Sequence, residues 1–242
     1  MNFSLTPKTV VVIPTYNEAE NIKALCEEIF KYLDNCQIII VDDNSLDGTQ
    51  DIITGLAINN SNISPLIRSG KPRSFSQSYI DGFAMAIEMG AGYIIQMDAD
   101  FSHQPLYLPE IAKGLAEADL VIGSRYVKGG GTKNWSFWRS FLSRGGSFLA
   151  SKVTATPIKD ITGGFAGWRR ELLSKIDFDS INTSGFVFQI EIRRQAHNNN
   201  AKIKEVPIVF ENRKRGRSKM NKKIITEAII YCLNLPKNNA KA

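Results

Sequence analysis

Short β-branched runs, each closing on polar residues and separated by segments of helical period, constrain this chain more tightly than any other feature. Val10-Val-Val-Ile13 is halted by Pro14, and Gln37-Ile-Ile-Ile-Val41 ends in Asp42-Asp43-Asn-Ser45. Runs of this kind read as buried parallel strands. Between them, Ile22, Leu25, Cys26, Ile29 and Leu33 recur at helical spacing and predict a helix over 18–33, with Asn17 as its N-cap. Asp47-Gly-Thr49 opens a second helix reaching about Leu56. Ile63–Ile67 predicts a third strand, and Ser76–Met89 a third helix. Strands alternating with helices of this length define βαβ units and a mostly parallel sheet, so the fold class is α/β.

The fourth run, Tyr93-Ile-Ile-Gln96, leads into Met97-Asp98-Ala99-Asp100-Phe-Ser102-His103. On a strand, period 2 puts Asp98 and Asp100 on one side of its carboxyl end, the end where open α/β sheets bind ligands. Two carboxylates there suit a hard divalent cation, which takes oxygen ligands and bridges to phosphates. The plainer alternative is a strand running into an acidic turn. Gly-x-Gly-x-x-Gly and Gly-x-x-x-x-Gly-Lys-Ser/Thr are both missing, so a diphosphate would be held by metal and basic side chains instead.

The second half is less regular. Gly129-Gly-Gly131 marks a loop, and a helix is predicted over 134–153. Trp135, Trp138, Leu142 and Leu149 form one apolar stripe on it, and Phe137, Phe141 and Phe148 another. Arg139 and Ser143 are i, i+4 neighbours on the remaining polar face. Such a helix either rests at a membrane interface or is a core helix packed on both sides. Short helices are expected near 171–175 and 185–196, an edge strand over 203–210 broken at Pro207, and an amphipathic helix over 224–235.

At 242 residues and 43% hydrophobic, the chain can bury the core of one large domain, with a nucleotide-binding half of about 8–128 and an interface half of about 129–235. Cys26, Cys36 and Cys232 show no metal-ligand spacing and read as reduced thiols of a cytosolic protein. No secretory signal is visible, and no apolar run reaches the ~18 residues of a spanning helix. The chain is therefore expected to be soluble or peripheral to a membrane. Its net charge of +6 is concentrated over 213–223, where Arg213, Lys214, Arg215, Arg217, Lys219, Lys222 and Lys223 meet no acid. That block is open to four readings: a nucleic-acid arm, a membrane-surface patch, a phosphate clamp or a plain solvated face. A nucleic-acid role would lack an aromatic stacking platform beside it.

Taken in order, the motifs resemble those of family-2 glycosyltransferases of GT-A fold, most of all polyprenol-phosphate (dolichol-phosphate) mannose synthases. They are Val-Ile-Pro14-Thr-Tyr16-Asn-Glu18, Val41-Asp-Asp43-Asn-Ser-x-Asp-Gly48-Thr, Met-Asp98-Ala-Asp100-x-Ser-His103-x-Pro105 and Gly123-Ser-Arg125-Tyr126. Asp160-x-Thr-Gly-x-Phe165, Gly185-x-Val-Phe-Gln-x-Glu191, Glu205-Val-Pro207-Ile and Arg213-x-x-Gly216-x-Ser218-Lys219 follow. The resemblance implies a Rossmann-like sheet with interface helices and an inverting, metal-dependent transfer of mannose from GDP-mannose to a polyprenyl phosphate at the cytoplasmic membrane face. It assigns Pro14, Tyr16, Glu18, Val41, Asp43 and Ala99 to the nucleotide sugar. Asp98 and Asp100, with Ser102, would hold Mg²⁺ or Mn²⁺. Arg125, Arg213 and Lys219 would neutralise phosphates, and Arg139 and Ser143 would meet the lipid phosphate. A donor with another base or sugar, or a hydroxyl acceptor with Glu191 or Asp160 as base, fits the same scaffold. A nucleotide-binding scaffold without catalysis is the reading from another class. The chain departs from the pattern at Ser102 (Gln in some members), Ala166 (Arg), Arg217 (Glu) and Ser74–Tyr79, where a Gly-rich helix start is usual and Arg73 would supply the basic residue. The C-terminal spanning helices of some relatives are expected to be missing, which leaves attachment to the Trp135–Phe148 helix, the basic block or a partner membrane subunit.

Overall fold

The computed structural model describes residues 7–33, 35–181 and 185–211. The basic block over 213–223, with Arg213 and Lys219, the helix expected over 224–235 and Cys232 all lie outside the described residues.

Four strands form the first half: β1 (Thr9–Thr15), β2 (Cys36–Asp42), β3 (Ile63–Ile67) and β4 (Tyr93–Gln96). Between them run α1 (Ile22–Tyr32), α2 (Thr49–Asn59) and α3 (Phe75–Glu88). A 3-10 turn (Pro105–Tyr107), α4 (Leu108–Gly114), β5 (Leu120–Ser124), β6 (Gly131–Lys133) and α5 (Phe137–Val153) follow. The described chain ends with β7 (Ala166–Arg169), α6 (Arg170–Leu173), α7 (Gly185–Asn198), β8 (Ile203–Pro207) and β9 (Val209–Glu211).

Seven strands make one sheet in the order β3-β2-β1-β4-β7-β5-β8, parallel except for β7, which runs antiparallel to both neighbours. β6 and β9 pair separately, in parallel. The break expected at Pro207 is where the chain leaves the large sheet for the small one.

Period 2 sorts the strand side chains into two layers. Val10, Val12, Ile39 and Val41 join Tyr79 and Phe83 of α3 and Phe188 of α7. Val11, Ile13, Ile38 and Ile40 join Ile22, Leu25 and Ile29 of α1, Ile53 of α2 and Ile111 of α4. At Gly82 helix α3 lies against the sheet so tightly that an added Cβ would collide with Val12 Cγ1 and lie 2.9 Å from Val41 Cγ2.

The connections through β1, β2 and β3 wind one way, while β4 lies on the other side of β1. The crevice between the carboxyl ends of β1 and β4 is therefore a topological switch point, where open α/β sheets take their ligands.

Two local expectations are corrected. Asn17 does not cap α1: it adopts φ 54°, and Asn21 occupies the cap position before Ile22. Asn17 instead joins two loops, its N–H donating to Ser45 Oγ (2.8 Å) and its Oδ1 accepting from Leu46 N (2.9 Å). For α5 it is the core position that does not hold. It packs inward through Ser147, Ala150 and Ser151, whereas Phe137, Trp138, Phe141, Leu142, Phe148 and Leu149 are each at least half exposed. The core-helix alternative is thereby removed. No helix among the described residues is long and apolar enough to cross a membrane.

Candidate active site

Two stitched loops form the floor of the crevice. Asp42, fully buried at the end of β2, accepts from Ser45 N (2.9 Å), Ser45 Oγ (2.5 Å), Gln50 Nε2 (2.9 Å) and Thr15 Oγ1 (3.1 Å). These bonds make Asp42 an anchor for the loop. They leave Asp43 to face the start of α3, where it pairs with the buried Arg68 and accepts from Ser74 N at 2.7 Å. Arg68 also holds Asp81 at 3.0 Å. On the β1 side, Glu18 N donates to Thr49 Oγ1 (3.0 Å), and the guanidinium of Arg73 lies 3.7 Å from the centre of the Tyr16 ring. Pro14, Tyr16, Glu18 and Asp43 thus lie at or just past the carboxyl ends of β1 and β2. Val41 and Ala99 are packed in the core, so only their main-chain atoms can meet a ligand.

Asp98 and Asp100 follow the last residue of β4. Asp100 Oδ1 accepts from Ser102 N at 3.0 Å and from the Ser102 hydroxyl, across a turn in which Phe101 has φ 61°. Asp98 Oδ1 accepts from Tyr79 Oη at 3.1 Å, and Asp98 N donates to His103 Nδ1 at 3.0 Å. That bond requires an unprotonated Nδ1. Burial holds the His103 pKa below its ordinary value against the pull of Asp98 and Asp100, so the ring is neutral and its 3.8 Å approach to Asp98 Oδ2 is not an ion pair. His103 stacks on Phe165 (5.1 Å, 17°) beside Gly164, where a Cβ would lie 3.5 Å from Asp98 Oδ2.

Among the described residues no group of three or more His, Cys, Asp or Glu side chains is arranged around a single point as a metal cage. Two neighbouring carboxylates with a hydroxyl are nevertheless a fitting donor set for Mg²⁺ or Mn²⁺, which commonly use one or two protein carboxylates plus phosphate and water oxygens.

Arg125 begins the loop after β5, on the same sheet edge. Its Nε donates to Asp160 Oδ2 (2.7 Å), and its Nη2 to Asp160 Oδ1 (2.6 Å) and Thr162 Oγ1 (3.2 Å). An arginine buried to this degree requires a compensating anion. The expected phosphate contact would therefore have to use Nη1, with the pair's net charge already near zero. Asp160 is correspondingly unsuited to act as a general base. Burial works to raise its pKa, but the Arg125 charge and hydrogen bonds outweigh that and hold it below the ordinary value. The other candidate base, Glu191, is 6% exposed and held by Arg194 at 2.8 and 2.7 Å.

The 160–164 loop rests on Arg193, which is fully buried and donates to Ile161 O (2.5 Å) and to Gly163 O. Burial lowers its pKa to about 10, so it stays charged at neutral pH. Gln96 adds a buried polar tie, bonded to Trp168 Nε1 (2.8 Å), Gly164 O (2.8 Å) and Gln189 Oε1 (2.9 Å).

A row of rings leads from this cluster to α5. His103 meets Phe210 edge-on (5.5 Å), Phe210 meets Trp135 (5.4 Å), and Arg139 lies 4.0 Å over Trp135. Arg125 is 5.6 Å from the same Trp135 ring, and Tyr126 Oη bonds Ser143 Oγ at 2.7 Å. Arg125, Arg139 and Ser143 are thereby gathered at the foot of an exposed apolar helix. Tyr79, Arg193 and Gln96 belong to the site's framework without having been expected there.

With this geometry, the profile of Glycosyl transferase family 2 matches residues 10–177. Polyprenol monophosphomannose synthase of Mycolicibacterium smegmatis is 36% identical over 225 residues, covering 93% of this chain and 85% of the relative. Undecaprenyl-phosphate mannosyltransferase of Micrococcus luteus is 35% identical over 223 residues, covering 92% and 91%. Among solved structures, glucosyl-3-phosphoglycerate synthase from Mycobacterium tuberculosis superposes with a TM-score of 0.68 at 17% identity, over 96% of this chain and 80% of that one. That structure was determined with Mn²⁺, UDP and phosphoglyceric acid, and a second form, with Mg²⁺ and UDP, gives 0.68 as well. The likeness to solved structures establishes the GT-A fold. The chain belongs to glycosyltransferase family 2. It is a glycosyltransferase.

Proposed function

We propose that this enzyme transfers mannose from GDP-mannose to a polyprenyl phosphate while resting on the cytoplasmic face of a membrane. The observation that carries the acceptor reading is the position of α5. Its exposed face is apolar, and Arg139 and Ser143 lie at its base beside Arg125, on the sheet edge that bears Asp98 and Asp100. A lipid phosphate needs that combination: an apolar support for the chain and a cationic seat for the head. The names of the two relatives agree with it.

In this reading Pro14, Tyr16, Glu18 and Asp43, with the main chain at Val41 and Ala99, take the nucleoside. Asp98 and Asp100, supported by Ser102, hold Mg²⁺ or Mn²⁺. A divalent cation bound there would neutralise the diphosphate as it leaves. Arg139 and Ser143 orient the acceptor phosphate, the Arg by its bidentate fork. One phosphate oxygen attacks the anomeric carbon, the bond from that carbon to the diphosphate oxygen breaks, and the nucleoside diphosphate departs with the electron pair. The configuration inverts. No general base is needed, because a phosphate monoester has a second pKa of about 6 and is already largely ionised. The commitment of Asp160 to Arg125 and of Glu191 to Arg194 supports an acceptor of that kind over a sugar hydroxyl.

The test is binding of GDP, UDP, GDP-mannose and UDP-glucose with and without Mn²⁺, followed by turnover with a short polyprenyl phosphate. Metal-dependent preference for guanine ligands and formation of lipid-linked mannose is the expected result. Preference for UDP ligands would move the donor, and binding without a lipid product would remove the acceptor assignment.

A further inference from the structure

Tyr79 lies in the second turn of α3 and is fully buried. Its ring stacks on Phe83 (5.7 Å, 29°) and on Phe188 (6.1 Å, 7°), and Phe75 meets it edge-on at 5.1 Å. Three aromatic neighbours fix the ring, so its hydroxyl can only turn about its own C–O bond. That hydroxyl donates to Asp98 Oδ1 at 3.1 Å. A phenylalanine would fill the same slot without having to satisfy a buried polar atom. The single oxygen that distinguishes tyrosine from phenylalanine is therefore directed at the site.

We infer that Tyr79 is a positioning residue that fixes the Asp98 carboxylate in the orientation in which it receives a divalent cation. The inference rests on Asp98 being a metal ligand, as proposed above. Asp98 is then held at two points, its main chain by His103 Nδ1 and its side chain by Tyr79. The same helix reaches the nucleoside end of the crevice, because Ser74 N donates to Asp43 at 2.7 Å and Arg73 covers Tyr16.

Tyr79→Phe removes one hydroxyl and retains the ring stack. Mn²⁺ binding to the full chain is measured by electron paramagnetic resonance in the presence of GDP and, separately, UDP, together with metal-free nucleotide binding and the thermal midpoint. Outer-shell partners of metal ligands are typically worth about 10–100-fold in metal affinity. The expected result is an Mn²⁺ dissociation constant raised by about tenfold or more, with metal-free nucleotide binding unchanged. In turnover, the loss should be recovered at saturating metal. A merely structural role would lower the midpoint and leave Mn²⁺ affinity alone, and that outcome overturns the inference. Placing Tyr79→Phe in an Asp98→Asn background supplies a second arm, in which no further loss of Mn²⁺ affinity is expected and an undiminished loss would overturn it. If the unaltered chain binds no Mn²⁺ with either nucleotide, the metal assignment of Asp98 has itself failed, which is a distinguishable result.

Discussion

Arg125 and Asp160 are joined by two parallel hydrogen bonds, Nε to Oδ2 at 2.7 Å and Nη2 to Oδ1 at 2.6 Å, with both side chains almost wholly enclosed. The Arg125 main-chain N–H adds a third bond to Asp160 Oδ2 at 2.8 Å, so the carboxylate fixes the loop as well as the side chain. Breaking a buried pair from one side leaves an uncompensated charge and costs about 3–5 kcal/mol. Asp160→Asn should lower stability by about that amount in denaturant titration. A loss under about 1 kcal/mol would mean that the Arg125 charge is neutralised from elsewhere. The pH dependence has a definite sign. The Asp160 pKa is lower in the folded chain than its ordinary value, so its stabilisation is complete above about pH 4 and lost as pH falls through the folded-state pKa. Asp160→Asn should accordingly flatten the acid limb of the stability curve below about pH 4 while leaving its neutral region level.

Asp100 accepts from the Ser102 main chain and hydroxyl, which shapes the turn that presents both carboxylates. Asp100→Ala should reduce kcat/KM by at least about 10²–10³-fold, the scale set by removing one group that stabilises developing charge. Circular dichroism should show the fold retained. Substantial residual activity with Mg²⁺ or Mn²⁺ would place the metal elsewhere.

The parts of the fold legible in the sequence are those whose signal is local. The runs at 10–13 and 37–41 are strands at nearly the expected bounds because an uninterrupted β-branched run has few other uses, and Ile63–Ile67, interrupted by Ser64 and Pro65, is a strand at the sheet edge, where a proline is tolerated. The Asp98-x-Asp100 pair is legible as two carboxylates just past a strand, but β4 stops at Gln96 and Asp100 stands in the turn beyond it, so the period-2 argument for a shared side does not reach them. β7 is not legible in the sequence: Ala166–Arg169 is four residues long and contains Gly167, required because a Cβ there would lie 2.6 Å from Ile111 Cγ2. That requirement comes from α4, more than fifty residues away, and leaves no local trace. Tyr79 and Asp98, Gln96 and Trp168, and Arg193 and Gly163 are likewise contacts between distant segments. In α5 the two apolar stripes were visible, but not which face packs. The deciding residues are Ser147, Ala150 and Ser151, whose small side chains let the helix approach the body and turn its large ones outward.

That inversion carries its own prediction. Trp138 is 69% exposed and Phe141 61% exposed, so neither contributes much to the folded core. Trp138→Asp and Phe141→Asp should each change stability by no more than about 0.5 kcal/mol, as surface substitutions do. Binding to vesicles is another matter, since burying a large apolar side chain is worth about 1.5–3 kcal/mol. Each variant should weaken co-sedimentation with anionic phospholipid vesicles by about tenfold or more. Unchanged sedimentation with unchanged stability would free this face from any role at a membrane.

Arg139 separates the two substrates. It stacks over Trp135, one helical turn before Ser143, with Arg125 5.6 Å from the same ring, some distance along the chain of rings from Tyr16 and Asp43. If it seats the acceptor phosphate, Arg139→Ala should raise KM for a short polyprenyl phosphate by about tenfold or more, the scale of a charge-assisted hydrogen bond, and leave KM for the nucleotide sugar within about twofold. Arg139→Lys should recover only part of the loss, because an ammonium retains the charge but not the planar fork or the stacking on Trp135. Equal effects on both substrates would mean that Arg139 acts through the fold of α5, and the acceptor phosphate would then have to be sought at the Nη1 edge of Arg125.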